Sequence, residues 1–278
     1  MNLEILKDTP PWDWPEGTGE QLLKILRDEG ATESELLLAA ELAGDFTVIN
    51  DELADALVFV LQSADKSEKI RAQAAISLGP VLEHADTAGF EDADDCSIEE
   101  PTFHRIQESL RQLYLDANAP RDVRRRILEA AVRAPQGWHE GAIRAAFSSD
   151  DEAWRLTAVF CTRFVRGFDE QILEALDDKN PDIHYEAVIA AGNWELDRAW
   201  PHIAALVTSR VTDKPLLLAA IAAVAIIRPG EAAAILGDLV DSDDEDVIEA
   251  VDEALAIAAG PSDEDEDEDF DDDDDVFH

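Results

Sequence analysis

Cysteine and basic residues are scarce in this chain of 278 residues, and each scarcity excludes something. The two cysteines, Cys96 and Cys161, lie in unlike contexts and suggest no disulfide framework. The 22 Lys and Arg face 64 Asp and Glu, leaving a formal net charge of −42. A field of that sign repels phosphate backbones and anionic lipid heads, so neither nucleic acid nor a membrane is an expected partner. No apolar run reaches the roughly 18 to 20 residues needed to span a bilayer. The longest, Leu216 to Ile227, is Ala-rich and suits a buried helix. The first residues, Met1 to Asp8, lack the basic and apolar regions of a secretory signal, and a cytoplasmic protein is expected. Also missing are a Gly-rich phosphate loop, a zinc-binding His-Glu-x-x-His helix, a paired Cys-x-x-Cys and a Gly-x-Ser-x-Gly elbow.

What is present is a phrase that returns about every thirty residues. The clearest copies are Asn118 to Arg124, Ser149 to Arg155, Lys179 to His184 and Ser242 to Ile248. Each is a polar turn of helix-capping residues, then an apolar residue, then an Ala-rich helix. The apolar landmarks Val123, Trp154, Ile183, Leu216 and Val247 fall at steps of 31, 29, 33 and 31. One helix pair cannot bury its apolar face alone, so such a period predicts stacked pairs around a continuous core. The expected fold is all-α, an alpha-alpha superhelix of about seven helix pairs.

Residues 1–16 are expected to form an N-terminal capping segment whose prolines, at Pro10, Pro11 and Pro15, preclude a helix there. The repeats occupy 17–259, with Ile70 to Leu82 read as one helix and an acidic insertion at 85–101. Residues 260–278 form an acidic tail, expected to be disordered. Without its twelve acids the charge is still about −30, so acidity is spread along the chain. Adaptation to a salt-rich cytoplasm and an ordinary acidic protein both fit. The tail either solvates the protein or covers the basic middle of its own chain.

The turn phrases, with Asp/Asn-Pro or Asp-Asp ahead of an apolar residue and Arg, resemble the HEAT repeat family, particularly its short bacterial, lyase-type form. The resemblance spans residues 17–259 and implies a protein-binding scaffold whose second helices line a concave surface. Some relatives of that kind are enzymes. HEAT-type deoxyhypusine hydroxylases hold iron with several His-Glu dyads, whereas this chain has one, His139-Glu140. HEAT-like alkylpurine DNA glycosylases present a basic groove, which a chain at −42 does not suit. Bilin lyases share the short repeat but leave no motif to match here. The expectation is therefore a non-enzymatic interaction scaffold with an unidentified protein partner and no cofactor. The alternatives are a lyase-like enzyme or chaperone with a concave small-molecule pocket, and an acidic DNA mimic.

The acidic loops Asp92 to Phe103 and Asp241 to Asp252 fail as calcium loops. Each lacks Gly at the sixth place (Ser97, Asp246) and Glu at the twelfth (Phe103, Asp252). The six histidines are scattered without helical spacing, so no metal site is expected. Trp12 and Trp14 are expected to cover the first helix pair, and the other tryptophans to fill core and cap positions, with Trp138 or Trp200 as alternative interface anchors.

Arginine is the informative residue. Eleven arginines and eight acids lie between 102 and 167, a local balance near +3. Arg71, Arg124, Arg155 and His184 occupy equivalent places early in second helices, so stacking should align them. Either they bond carboxylates between repeats, or they form a docking strip for an acidic peptide. The candidate protein-binding residues are Arg124, Arg125, Arg155 and His184.

Overall fold

The computed structural model describes residues 2–92 and 95–260. Among them every regular element is helical, and no strand occurs. The chain divides into two compact units, Met1–Val165 and Arg166–His278. The expected acidic tail, apart from Gly260, lies outside the described residues, as do Asp94 and Ala93 of the insertion.

The first unit contains α1 (Leu3–Lys7), α2 (Thr18–Leu26), α3 (Glu33–Ala43), α4 (Asp51–Gln62), α5 (Glu68–Ser77), α6 (Gly79–Ala88), α7 (Glu100–Leu115), α8 (Arg121–Ala131), α9 (His139–Phe147) and α10 (Glu152–Cys161). Four pairs result: α2 with α3, α4 with α5, α7 with α8, and α9 with α10. The second helices α3, α5, α8 and α10 pack one on the next, and so do the first helices α2, α4 and α7. The second unit contains α11 (Asp169–Ala175), α12 (Pro181–Asn193), α13 (Trp200–Thr208), α14 (Lys214–Ile227), α15 (Pro229–Leu236) and α16 (Glu245–Ala259). They form three pairs in order, with α12, α14 and α16 stacked. The all-α arrangement of stacked pairs is thus present in each unit.

The turn phrase explains where the second helices start. Ser67, Asp151, Asn180, Asp213 and Asp244 each accept a backbone N–H of the first turn they precede, the Asp151 and Asn180 contacts at 3.0 and 2.9 Å. Each such cap stabilises its helix by about 1 kcal/mol. The apolar residues three places on, Ile70, Trp154, Ile183, Leu216 and Val247, are all buried, and so is Val123 of α8, whose N-cap Pro120 makes no side-chain cap. Burying one such side chain contributes roughly 1.5–3 kcal/mol, so cap and landmark together fix both the start and the inward face of each helix.

Small residues set the stacking distance. A Cβ on Gly44, at the end of α3, would collide with the Ser77 carbonyl oxygen and come within 2.8 Å of the Ser77 Cβ. A Cβ on Gly192 in α12 would lie 3.2 Å from that of Ala223 in α14. These helices approach too closely for larger side chains.

Three details depart from expectation. The proline-rich N-terminal segment is not free of helix. Pro11–Asp13 forms a single 3-10 turn with Pro at its first position, where proline loses no intrahelical bond. Ahead of it, α1 buries Leu3 and Leu6 and packs on α3. The Trp14 indole N–H donates to the carbonyls of Leu6 and Thr9 at 3.0 and 2.9 Å. Trp12 is 79% exposed, so it does not cover the first pair. The helix read as Ile70 to Leu82 is two, because Leu78-Gly79-Pro80 starts α6 afresh with Pro in its first turn. That second helix runs to Ala88, into the stretch assigned to the insertion.

Candidate functional site

The aligned positions Arg71 and Arg124 do the same thing with their Nε, and it is not the expected carboxylate bond between repeats. Arg71 Nε donates to the carbonyl oxygen of Leu61 at 2.9 Å, and Arg124 Nε to that of Tyr114 at 2.8 Å. Both acceptors are the penultimate residue of the preceding first helix, ten residues back. The C-terminal carbonyls of a helix lack intrahelical donors and carry partial negative charge, so a guanidinium there satisfies a bond and the dipole together. Arg71 is buried in this role, whereas Arg124 is half-buried. The carboxylate bonds between repeats come from other residues. Arg121 meets Asp151, Arg198 meets Glu170, Arg228 meets Asp197 and Lys214 meets Asp244, each about one repeat apart.

Arg125, adjacent to Arg124 on α8, turns inward instead. Its guanidinium bonds Glu129 and Asp122, each at 2.8 Å, and Thr157 on α10 at 3.2 Å. Glu129, also buried, is held further by Arg126 at 2.6 Å and by the Thr157 hydroxyl. Arg125 is 9% exposed and serves the α8–α10 contact, which corrects its assignment to a docking surface. Arg155 is half-buried on α10.

Arg124 lies at an open cleft of about 480 Å³ in the first unit, lined by Tyr114, Ala117, Ala119, Arg121, Arg124, Ala145, Ala146, Ser149 and Trp154. The end of α7, the start of α8, the end of α9 and the start of α10 all contribute. The Arg124 guanidinium stands 5.2 Å from the Tyr114 ring centroid and that of Arg121 5.9 Å from the Trp154 ring. Arg121 also donates to Ser149 Oγ at 2.9 Å and meets Asp151 at 3.3 Å, while remaining 63% exposed in its side chain. Behind the cleft wall, Tyr114 packs on Trp138, 4.9 Å between centroids, and Trp138 on His139 at 3.9 Å.

His139 is completely buried, and burial lowers its pKa to about 4. Its Nδ1 accepts the backbone N–H of Gln136 at 2.8 Å, and its Nε2 has no hydrogen-bond partner among the described residues. Glu140 points the other way and pairs with Arg144 at 2.8 Å on the surface. The one His-Glu dyad of the sequence is therefore split between interior and solvent.

His184, the fourth candidate, is in the second unit. Its Nε2 lies 2.7 Å from His202 Nε2, and both rings are half-buried. Burial lowers the pKa of each, His202 adds to that effect on His184, and Asp213, Asp177 and Asp178 oppose it there. Asp177 stands 3.8 Å behind the His202 Nδ1. A spacing of eighteen residues gave no hint of this pairing, because adjacent elements rather than one helix face create it. Among the described residues no three His, Cys, Asp or Glu side chains converge as a metal set, and no helix is long and apolar enough to cross a membrane.

Fold and site together describe an all-helical protein of stacked pairs with an arginine-flanked cleft between two successive pairs. No model of a known protein family matches the chain, and no curated protein matches its sequence. Solved structures are similar to it at low identity. A structure of human deoxyhypusine hydroxylase in complex with glycerol is 17% identical, over 90% of this chain and 88% of that one, with a TM-score of 0.41. The Escherichia coli protein YibA is 16% identical over 88% and 84%, with a TM-score of 0.46. An engineered protein is 19% identical over 87% and 96%, with a TM-score of 0.35. The first of these is an enzyme, which corrects the expectation that a chain of this kind is not one.

Proposed function

We propose that this chain is a protein-interaction scaffold of HEAT-like repeats, and that its contact surface is the cleft between α7–α8 and α9–α10. One observation carries the reading: helix ends from two successive pairs leave an open cleft floored by small side chains and flanked by Arg121 and Arg124 over aromatic rings. Arginine and aromatic residues in a partly desolvated pocket are the groups that dominate protein–protein binding energy. The surrounding caps and ion pairs hold the four helix ends in place, so a ligand there meets a preformed surface and less ordering entropy opposes binding.

A photo-crosslinking residue in place of Ala117, at the exposed lip of the cleft, tests this in cells that make the full chain. Irradiation should trap a reproducible protein, and Ala145→Trp, which fills the cleft, should abolish the adduct. No adduct at position 117, or one that survives the filled cleft, overturns the reading.

A further inference from the structure

We infer that the cleft recognises an acidic peptide in which a carboxylate sits beside an aromatic or aliphatic side chain, a conclusion that rests on the scaffold reading above. The chemistry follows from what each arginine has left to donate. Arg105, Arg111, Arg125, Arg126, Arg133 and Arg144 each already meet a carboxylate. Arg124 meets none among the described residues: its Nε caps Tyr114, and its two terminal nitrogens are without a hydrogen-bond partner there. The cap fixes the guanidinium plane, so the remaining fork is pre-oriented for a carboxylate, which guanidinium binds bidentately. A chain with 64 acids leaves this fork without one of them.

Arg121 supplies a second, exchangeable cation. Its pair with Asp151 is exposed, and exposed pairs contribute little, about 0–1 kcal/mol. A ligand carboxylate can therefore replace Asp151 with small loss. Between the two cations the floor is the buried Ala119 and Ala146, with Ala117 and Ala145 at the exposed edge and the Trp154 ring also lining the cleft. That floor offers apolar contact and no side-chain hydrogen-bonding group, so it favours an apolar side chain next to the acid. A polyanion does not fit the same logic, because the field of the −42 chain opposes each additional charge while only two guanidinium groups reward it.

This arrangement has an unusual salt signature. Most arginine–carboxylate association weakens as salt rises. Here the far field of the chain repels the ligand, and only the contact within the cleft attracts it. Raising ionic strength from 0.01 to 0.15 M shortens the Debye length from about 30 to about 8 Å, which removes far-field repulsion while leaving a partly buried contact less affected.

The test is fluorescence anisotropy of the full chain with dye-labelled nine-residue peptides centred on Asp-Phe-Asp, Asn-Phe-Asn or Asp-Ala-Asp. The first should bind at least tenfold more tightly than either of the others, and more tightly at 0.15 M salt than at 0.01 M. Arg124→Lys, which keeps charge but not the fork, should weaken it about tenfold, and Arg121→Gln, on an exposed side chain that leaves the fold undisturbed, severalfold. Equal affinity for the amide peptide overturns the inference, as do unchanged affinities in both variants or no binding by any peptide. Tighter binding of a phosphoserine peptide than of the Asp-Phe-Asp peptide also overturns it, in favour of phosphate recognition. A protein trapped at position 117 while acidic peptides fail would sink the acidic preference and leave the scaffold standing.

Discussion

His139 gives the sharpest handle on stability. The ring is fully buried at the first position of α9, with Nδ1 accepting the Gln136 amide and Trp138 packed against it at a tilt. Protonation would place an N–H against an N–H and set a cation at the positive end of a helix, in the same direction as the burial that lowers the pKa from 6.5 to about 4. The unfolded chain therefore takes up this proton first. Stability from the neutral ring is fully present above pH 6.5 and is lost as pH falls from there to about 4. At about 1.36 kcal/mol per pH unit, the whole window amounts to about 3 kcal/mol. Most of it, about 2 kcal/mol, is lost between pH 7 and 4.5.

Many carboxylates titrate near the lower end of that range, so the wild-type curve alone is uninformative. The variant His139→Asn isolates the ring, because its amide oxygen can still accept the Gln136 N–H and does not titrate. Urea unfolding of both proteins at pH 7, 6, 5 and 4.5 should give free energies that converge on acidification, the wild type losing about 2 kcal/mol more than the variant. Shared carboxylate effects cancel in that difference. Parallel curves would refute the argument, since they would mean that His139 titrates alike in the folded and unfolded states.

The α8–α10 contact depends on Glu129, and Glu129→Ala should destabilise the protein by about 3 kcal/mol in urea unfolding, because it leaves the buried Arg125 short of a partner; a loss below 1 kcal/mol would contradict that role. In His202→Gln, the titration midpoint of His184, followed by its ring proton resonance, should rise, since His202 is the second cause after burial that holds it down. Asp177, Asp178 and Asp213, which face the pair, pull the same way as that rise, and an unmoved midpoint would separate the two rings electrostatically. Gly44→Ala should cost about 1–3 kcal/mol because its Cβ meets the Ser77 backbone. Gly141→Ala in α9, where nothing lies within 4 Å, should instead stabilise by about 0.5–1 kcal/mol, and equal signs for the two would exclude close packing as the cause.

What the sequence displayed well was local. A capping oxygen and an apolar residue three places later act within one turn, so the phrase located the starts of α10, α12, α14 and α16 and their inward landmarks from Trp154 to Val247. The five-residue α1 was hidden because a helix that short shows no period; its Asn2 cap and the burial of Leu3 and Leu6 against α3 make it. The arginine roles were hidden for another reason. Arg124 and Arg125 are neighbours in sequence, but one helical step of about 100° sends one to a helix end and the other into a stack. A signal for the first role was available: in two repeats the arginine stands ten residues after the penultimate residue of the preceding helix. The His184–His202 pair had no such signal, since it joins helices whose relative placement only packing determines.

The local charge balance near +3 between 102 and 167 was therefore the wrong quantity for finding a docking site. It counts charges within a stretch of chain, whereas cations in stacked repeats reach across the stack. Arg105 bonds Asp55 and Arg133 bonds Glu83, both outside that stretch, which removes most of the apparent surplus. Arg121 meets Asp151 within it, and Arg125 with Arg126 share Glu129. Arg124 is denied a carboxylate because a helix end occupies its Nε and an alanine-floored cleft lies beyond its remaining nitrogens. Arg71 also caps a helix end and meets no carboxylate among the described residues, but it is buried. A guanidinium left over after all neighbouring acids have been assigned marks recognition more sharply than a basic stretch does, because the first is a vacancy in geometry and the second only a count.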